Sequence, residues 1–254
     1  MGINYKTLKF LEKNIKKKKL SMATIGRQEL HFPTSQNTRF ADNFLIKKFN
    51  LKKLISFDIN KLEGASEIKD FDNPINYKEK FDIFFDGGSL QHIFNIPQAL
   101  KNIIKMTKLN GTIIHTVTFD GFQGFGLYQL SPEIFLNLYN KNNGFKNTKI
   151  YLTENLNNKF WYKINKKTKN NFNNFFSYGQ LSIYVSTIKT KELVQINIKQ
   201  KQKLAYNHSH NSLMYNLKRH SAVLFCYLFL KKIFLSVFPS FFLNFDKKVV
   251  KEKI

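Results

Sequence analysis

The chain has 254 residues, of which 43% are hydrophobic, and a formal net charge of +24. Its single cysteine, Cys226, excludes a disulfide scaffold and a cysteine-based metal cluster, and we expect no metal site. The charge would suit a nucleic acid or an anionic membrane, but the lysines are spread along the chain and arginine is scarce. That distribution favours a biased composition with a solvated basic surface, so a nucleic-acid partner is not the favoured interpretation.

Residues 1–20 are predicted to form an amphipathic helix with a basic end. Ile3, Leu8, Leu11 and Ile15 recur at helical spacing and are followed by Lys16–Lys19. Lysines at the C-terminus of a helix complement its dipole, so this run needs no partner to explain it. We expect the helix to dock on the domain that follows.

Short apolar runs then alternate with helical patterns as far as residue 119. The predicted strands are 21–26, 53–57, 65–68, 81–85 and 112–119. Helices are predicted over 38–50 and over the stretch that carries Leu100, Ile103, Ile104 and Thr107 and ends at Asn110-Gly111. Alternation of this kind is typical of a parallel sheet built from βαβ units, whose ligands bind at the carboxyl ends of the strands.

Acidic residues stand at the ends of three successive strands, at Asp58, Asp70 and Asp86. A lone aspartate in such a place is usually part of a turn or a helix cap. Three of them at successive strand ends are equally consistent with a ligand-binding rim.

The second half of the chain continues the pattern less regularly. A glycine-rich loop spans 120–126, and Ser131-Pro132-Glu133 is typical of a helix start. The remaining predicted segments are a strand at 149–153, a loop or insertion at 155–174, a closing strand at 181–188 and an extra edge strand at 194–198.

Residues 200–254 change character, and we treat them as a helical C-terminal extension to a domain that spans 21–199. Residues 222–245 are very apolar. Lys231 and Lys232 interrupt them, each at a cost of about 2.5–3.5 kcal/mol in a bilayer centre, and Pro239 follows. We expect this segment to pack on the domain, with peripheral contact to a membrane surface as the alternative.

The order of four segments resembles the class I S-adenosylmethionine-dependent methyltransferases, and in particular a bacterial methyltransferase-like group. The segments are SMATIGRQ, SFDINKLEGASEIKDF, FDIFFDGGSLQHIFNIPQALKNIIKMTKLNGTIIHT and GLYQLSPEIFLNLYNKNNGF. They cover residues 20–150, with a weaker match at 181–190. The resemblance implies a Rossmann-like, doubly wound and mostly parallel seven-stranded α/β sheet with flanking helices.

The resemblance also implies a set of residues that bind S-adenosylmethionine. They are Gly26, Arg27, Asp58, Asp70, Asp86, Gly87 and Gly88. By the same resemblance Asp58 contacts the ribose hydroxyls, Asp70 the adenine amino group, and residues 86–88 the methionine moiety.

The first loop departs from the family, which usually has several glycines there. This chain has only Gly26, followed by the bulky Arg27 and Gln28. Either the loop binds differently, with Arg27 meeting the methionine carboxylate, or the site has decayed.

Methyl transfer from a sulfonium depends mainly on alignment, and a base is needed only when the acceptor carries a proton. His115 and His92 are the candidate bases; the favoured interpretation of His115 is a core histidine, and the alternative for His92 is a place at the helix entrance. Tyr128 and Gln129 are candidates to contact the acceptor; the alternative is that they anchor their loop.

The sequence thus predicts a methyltransferase that acts on a small-molecule or saccharide acceptor. The alternatives are a decayed, methyltransferase-like binding protein and an RNA methyltransferase. We expect a cytoplasmic protein because no secretory signal pattern is present, with contact to the inner membrane surface through residues 222–245 left open.

Overall fold

The computed structural model is a mixed sheet with helices on both faces, and it describes residues 2–34, 38–155, 160–164, 180–192, 230 and 250–253. The strands are β1 (Gly2–Ile3), β2 (Ser21–Ile25), β3 (Glu29–Leu30), β4 (Lys53–Asp58), β5 (Glu67–Ile68), β6 (Phe81–Asp86), β7 (Thr107–Asp120), β8 (Phe145–Glu154), β9 (Phe160–Ile164), β10 (Leu181–Lys189) and β11 (Val250–Lys253). The helices are α1 (Tyr5–Asn14), α2 (Asp42–Phe49), α3 (Ile96–Met106) and α4 (Pro132–Leu138), and a 3₁₀ turn spans Leu90–His92.

One sheet contains nine of these strands, in the order β11-β9-β8-β10-β7-β6-β2-β4-β5. The pairs that join β5, β4, β2, β6 and β7 are parallel, and the remaining pairs are antiparallel. Only β10 and β9 therefore run against the common direction. The order reverses beside β2, as in a doubly wound fold, so the predicted fold class is confirmed.

The number of strands is larger than the predicted seven, because β9 and β11 extend one edge of the sheet. β9 lies inside the stretch 155–174 that was expected to be a loop or insertion, and β11 lies in the extension that was expected to be helical. Trp161 and Tyr162 of β9 are buried, so packing rather than the surrounding Asn/Lys-rich composition decides this strand. The predicted segments 194–198 and 222–245 lie outside the described residues, apart from Leu230.

Two apolar clusters cover the two faces of the sheet because side chains alternate along each strand. α1 and α2 contribute Phe10, Leu11 and Leu45 to one cluster. α3 contributes Leu100 and Ile103 to the other, which also contains residues of α4. No helix among the described residues is both long enough and apolar enough to cross a bilayer.

α3 begins and ends for local reasons. The side chain of Asn95 caps it by accepting a hydrogen bond from the backbone N–H of Gln98. It ends at Met106, earlier than the predicted Asn110-Gly111 stop, because Thr107 already belongs to β7 and its hydroxyl donates to the carbonyl of Ile103 at 2.7 Å.

α1 occupies Tyr5–Asn14 of the predicted helix over residues 1–20, whose start instead forms β1, and it carries a buried lysine. The Asn4 side chain caps the helix by accepting from the backbone N–H of Thr7 at 2.9 Å. The Nζ of Lys6 donates to the carbonyl of Glu154 at the end of β8. Burial lowers the pKa of Lys6 from 10.5 to about 8, against the opposing effect of the Glu154 charge.

This shift predicts that Lys6 makes stability rise with pH. Below pH 8 the ammonium is charged in both states, so the folded state carries the full desolvation cost; between pH 8 and 10.5 the folded state releases the proton first, and the cost disappears. Between pH 7 and pH 10.5 we expect the free energy of unfolding of the wild type to rise by about 2 kcal/mol relative to that of Lys6→Met. Urea denaturation at several pH values measures the difference. Lys9→Met, on the exposed face of the same helix, is the control. If the stability difference between the wild type and Lys9→Met changed with pH as much as the difference for Lys6→Met, the prediction would be contradicted.

Candidate functional site

The register of the sheet gathers the three predicted acids at its carboxyl edge, around the reversal of strand order. Asp86 pairs with Ile25 at the end of β2, and Asp58 pairs with Ile68 at the end of β5. Asp70 follows two residues after β5, where the N–H of Lys69 donates to the carbonyl of Asp58 at 2.8 Å. The backbone positions therefore share one rim, but their side chains have different surroundings.

Asp58 and Asp70 are both partly exposed, and they differ in the hydrogen bonds that their carboxylates already accept. Oδ1 of Asp58 accepts from the N–H of Ile59 at 2.7 Å. No hydrogen bond to Oδ2 is present among the described residues. Asp70 differs, because its Oδ1 accepts from the N–H of Asp72 at 2.9 Å and its Oδ2 from the Asn73 side chain at 2.7 Å. Asp70 thus closes a turn, as an isolated aspartate usually does.

Asp86 points into the protein and is fully buried. Its Oδ1 accepts from the backbone N–H groups of Gly88, Ser89 and Leu90 at 3.2, 2.7 and 3.3 Å. Its Oδ2 lies 3.0 Å from Nδ1 of His115. The carboxylate therefore fixes the turn after β6 instead of facing a ligand.

His115 continues this network toward α4. Its Nε2 lies 2.6 Å from the hydroxyl of Tyr139, and both residues are buried. Burial raises the pKa of Tyr139 well above 10, helped by the Asp86 charge, so the phenol keeps its proton. With a neutral imidazole, the Tyr139 hydroxyl donates to Nε2 and the Nδ1–H donates to Asp86.

Two predicted site residues are corrected by this network. His115 has no access to an acceptor because it is fully buried and both ring nitrogens are engaged, so it is a core histidine and not a candidate base. The Asp86 carboxylate is likewise unavailable to a ligand. Sequence reasoning missed Tyr139 as their partner, although its place on the buried face of the predicted helix after Ser131 was a usable signal.

The first loop, which follows β2, is held by hydrogen bonds of Gly26 and Arg27 to neighbouring segments. Gly26 has a positive φ of 71°, and its N–H donates to the carbonyl of Phe57 at 2.7 Å. Arg27 donates from Nε to Asp42 Oδ2 at 2.6 Å and from a terminal nitrogen to the carbonyl of Glu63 at 2.9 Å. These contacts tie the guanidinium to the start of α2 and to the loop after β4. Its predicted contact with a methionine carboxylate stays a prediction.

Gln28 fills the gap between the ends of β2 and β6. Its side chain is 2% exposed, and Nε2 donates to the carbonyls of Ile25 at 2.8 Å and Gly26 at 3.1 Å. Its Oε1 has no hydrogen-bond partner within the part of the chain that the structure describes, and a Cβ added at Gly87 would overlap it. The ribose side of the predicted S-adenosylmethionine site is therefore open at Asp58, whereas the space beside Gly87, expected for the methionine moiety, holds the chain's own amide.

The predicted acceptor residues lie where the loop of residues 120–131 meets residues 91–95. His92 is exposed, and its ring meets that of Phe125 edge-on at 5.4 Å. Partial burial lowers the pKa of His92, so its imidazole is neutral at pH 7 and can accept a proton.

Tyr128 and Gln129 hold this loop in place. The Tyr128 hydroxyl donates to the carbonyl of Phe94 at 3.2 Å, and Oε1 of Gln129 accepts from the N–H of Phe122 at 3.2 Å. These bonds match the loop-anchor alternative, and a contact of either side chain with an acceptor stays a prediction.

Comparison with known proteins gives structural similarities only. No family model matches the chain, and no curated protein matches it. A methyltransferase-like structure from Bacillus halodurans C-125 is 12% identical with a TM-score of 0.45, over 72% of this chain and 98% of that one. The N-methyltransferase NodS from Bradyrhizobium japonicum WM9 is 12% identical with a TM-score of 0.45, over 72% of this chain and 94% of that one. A phosphoethanolamine N-methyltransferase from Haemonchus contortus is 13% identical with a TM-score of 0.46, over 74% of this chain and 53% of that one. Similarity at this level assigns no activity to the chain.

Proposed function

We propose that the carboxyl edge of the sheet binds S-adenosylmethionine and that the protein transfers its methyl group to a small-molecule or saccharide acceptor. The observation that carries the proposal is Asp58, an accessible carboxylate at the end of the strand next to the reversal point. A vicinal diol offers two hydroxyl donors, and a carboxylate can accept both. Ile59 and Leu62 are exposed beside it and offer apolar surface to a purine ring.

The residues of this chain divide the task into binding and proton transfer. S-adenosylmethionine, when bound, supplies an already activated methyl group, so the protein chiefly has to align it with the acceptor. Asp58 would hold the ribose, and Asp70 would lie near the adenine. His92 would take a proton from a hydroxyl or amine acceptor, since its neutral ring stands exposed at the same edge.

A second candidate function is binding without methyl transfer. The observation that favours it is Gln28, whose amide fills the space beside Gly87. The burial of His115 adds to it, because it removes one of the two candidate bases.

The binding part of the proposal predicts unequal effects of two aspartates. Asp58→Ala should weaken binding of S-adenosylmethionine and S-adenosylhomocysteine more than Asp70→Ala does, because it removes two hydrogen bonds to a diol instead of one to an amino group. Hydrogen bonds to charged groups contribute about 1.5–3 kcal/mol each, so we expect a loss of at least about tenfold in affinity for Asp58→Ala. Isothermal titration calorimetry measures these affinities.

Asp120→Ala is the matched control for this titration, since Asp120 is an exposed acid at the end of β7 with one backbone partner, the N–H of Gly121. Equal affinities for the wild type and the Asp58 variant would show that the ribose site lies elsewhere. No binding of either adenosyl compound by the wild type and the Gln28 variants described below would end the proposal.

Methyl transfer is tested separately from binding. We expect label from methyl-labelled S-adenosylmethionine to appear in one member of a panel of saccharides and small polar metabolites, and less label with His92→Ala. Binding that remains intact while no panel member is labelled would favour the second candidate.

A further inference from the structure

We propose that the side-chain amide of Gln28 stands in the place of the ligand's amino-acid end and has to leave before the ligand can enter. This inference rests on the proposed function, because it names the residue that controls occupation of the same site. It makes Gln28 a residue that sets affinity at the carboxyl edge, without a part in the chemistry.

The side-chain amide of Gln28 is buried and hydrogen-bonded at the carboxyl end of β2. The amide lies in the gap between β2 and β6 and is 2% exposed. Its Nε2 donates to two carbonyls at the end of β2, those of Ile25 and Gly26. When Gln28 turns away, both carbonyls become acceptors for a ligand ammonium or amide group, which presents the same N–H donors.

The amide oxygen of Gln28 explains why a ligand can displace this side chain. Oε1 is buried, no described residue donates a hydrogen bond to it, and a buried amide oxygen in that state is unfavourable. When the Gln28 side chain rotates into solvent, water can donate hydrogen bonds to Oε1. Gly87 permits the present position, since a Cβ at that residue would overlap Oε1.

The neighbouring side chains do not have to move when the ligand replaces the Gln28 amide. Ser89 donates from Oγ to the Ile25 carbonyl at 2.6 Å, so this carbonyl stays hydrogen-bonded after Gln28 departs. Arg27 is bound on the other side of the loop to Asp42 and Glu63 and does not hold the amide. Rotation of one side chain is thus sufficient to open the gap.

Calorimetric titration with S-adenosylhomocysteine tests the inference on the wild type and three variants of the full chain. Gln28→Ala empties the gap and should bind about tenfold more tightly than the wild type, which corresponds to 1.4 kcal/mol. Gln28→Met refills the gap with a side chain of similar length and should bind like the wild type. Gln123→Ala, at an exposed loop position, is the control for a general effect of losing a glutamine.

Each result decides the question. Tighter binding by Gln28→Ala alone supports the inference, and so does binding by that variant when the wild type shows none. Unchanged affinity in Gln28→Ala, or equal tightening in Gln28→Met, overturns it while leaving the proposed function intact. No binding by any form overturns both.

A measurement on the unmodified protein covers the case in which Gln28→Ala does not fold. The side-chain amide signals of Gln28 can be assigned in ¹⁵N-labelled protein as those absent from Gln28→Met. They should shift toward the values of a solvent-exposed glutamine as S-adenosylhomocysteine is added. Signals that stay in place while the ligand binds would overturn the inference.

Discussion

Replacing Asp86 with alanine is expected to lower the free energy of unfolding by about 3–5 kcal/mol, because several buried hydrogen-bond donors lose their acceptor and each costs about 1–3 kcal/mol when it is left unsatisfied. The substitution deprives three backbone N–H groups of their acceptor and leaves Nδ1 of His115 without one. The turn after β6 would then lose the contact that fixes its shape. Urea denaturation followed by circular dichroism measures the change.

Asp86→Asn is the informative second variant. The amide keeps one oxygen for the N–H groups of the turn, and its nitrogen can face His115 if the imidazole takes the other tautomer. We expect a smaller loss, of about 1–2 kcal/mol. Asp120→Ala, at an exposed strand end, should change stability by less than about 0.5 kcal/mol. An Asp86→Ala protein as stable as the Asp120→Ala control would show that the buried network does not stabilise the fold.

Replacing Trp161 with alanine should cost about 3–5 kcal/mol as well, because it leaves a large cavity in the core. Trp161 is 1% exposed and connects the edge of the sheet to α1. Its ring centroid lies 5.1 Å from that of Phe10, 4.7 Å from that of Tyr184 and 5.7 Å from that of Tyr151. The variant should therefore weaken the packing of α1 against β9.

The chain contains one tryptophan, so the wild type carries its own probe of this cluster. Its fluorescence should report a buried indole and should change in the same urea range as the circular dichroism signal. Phe94→Ala removes an aromatic ring that is 74% exposed and should have little effect. Equal urea midpoints for the Trp161 and Phe94 variants would contradict the assignment of β9 to the core.

The sequence predicted the elements that local patterns encode. Phe81–Phe85 and Ser21–Gly26 were recognisable as strands because apolar runs bounded by glycine and polar turns leave few other structures. The helix after Ser131 was recognisable from its cap and its proline. β9 escaped prediction because its strand character depends on burial against α1, which is contributed by residues about 150 positions earlier in the sequence.

The sequence by itself determined the alternation of strands and helices and, through it, that Asp58, Asp70 and Asp86 lie on one edge of the sheet. The carboxyl ends of parallel strands must meet there, whatever the details of packing. The tertiary structure alone decided that Asp86 is buried while Asp58 and Asp70 stay partly exposed. Asp86 turns inward because His115 and Tyr139, both distant in the chain, converge behind it, and Gln28 turns toward Gly87 because β2 and β6 become neighbours only in the folded sheet. Local sequence fixes where a side chain is attached, but its partners come from segments that only folding brings within hydrogen-bond distance.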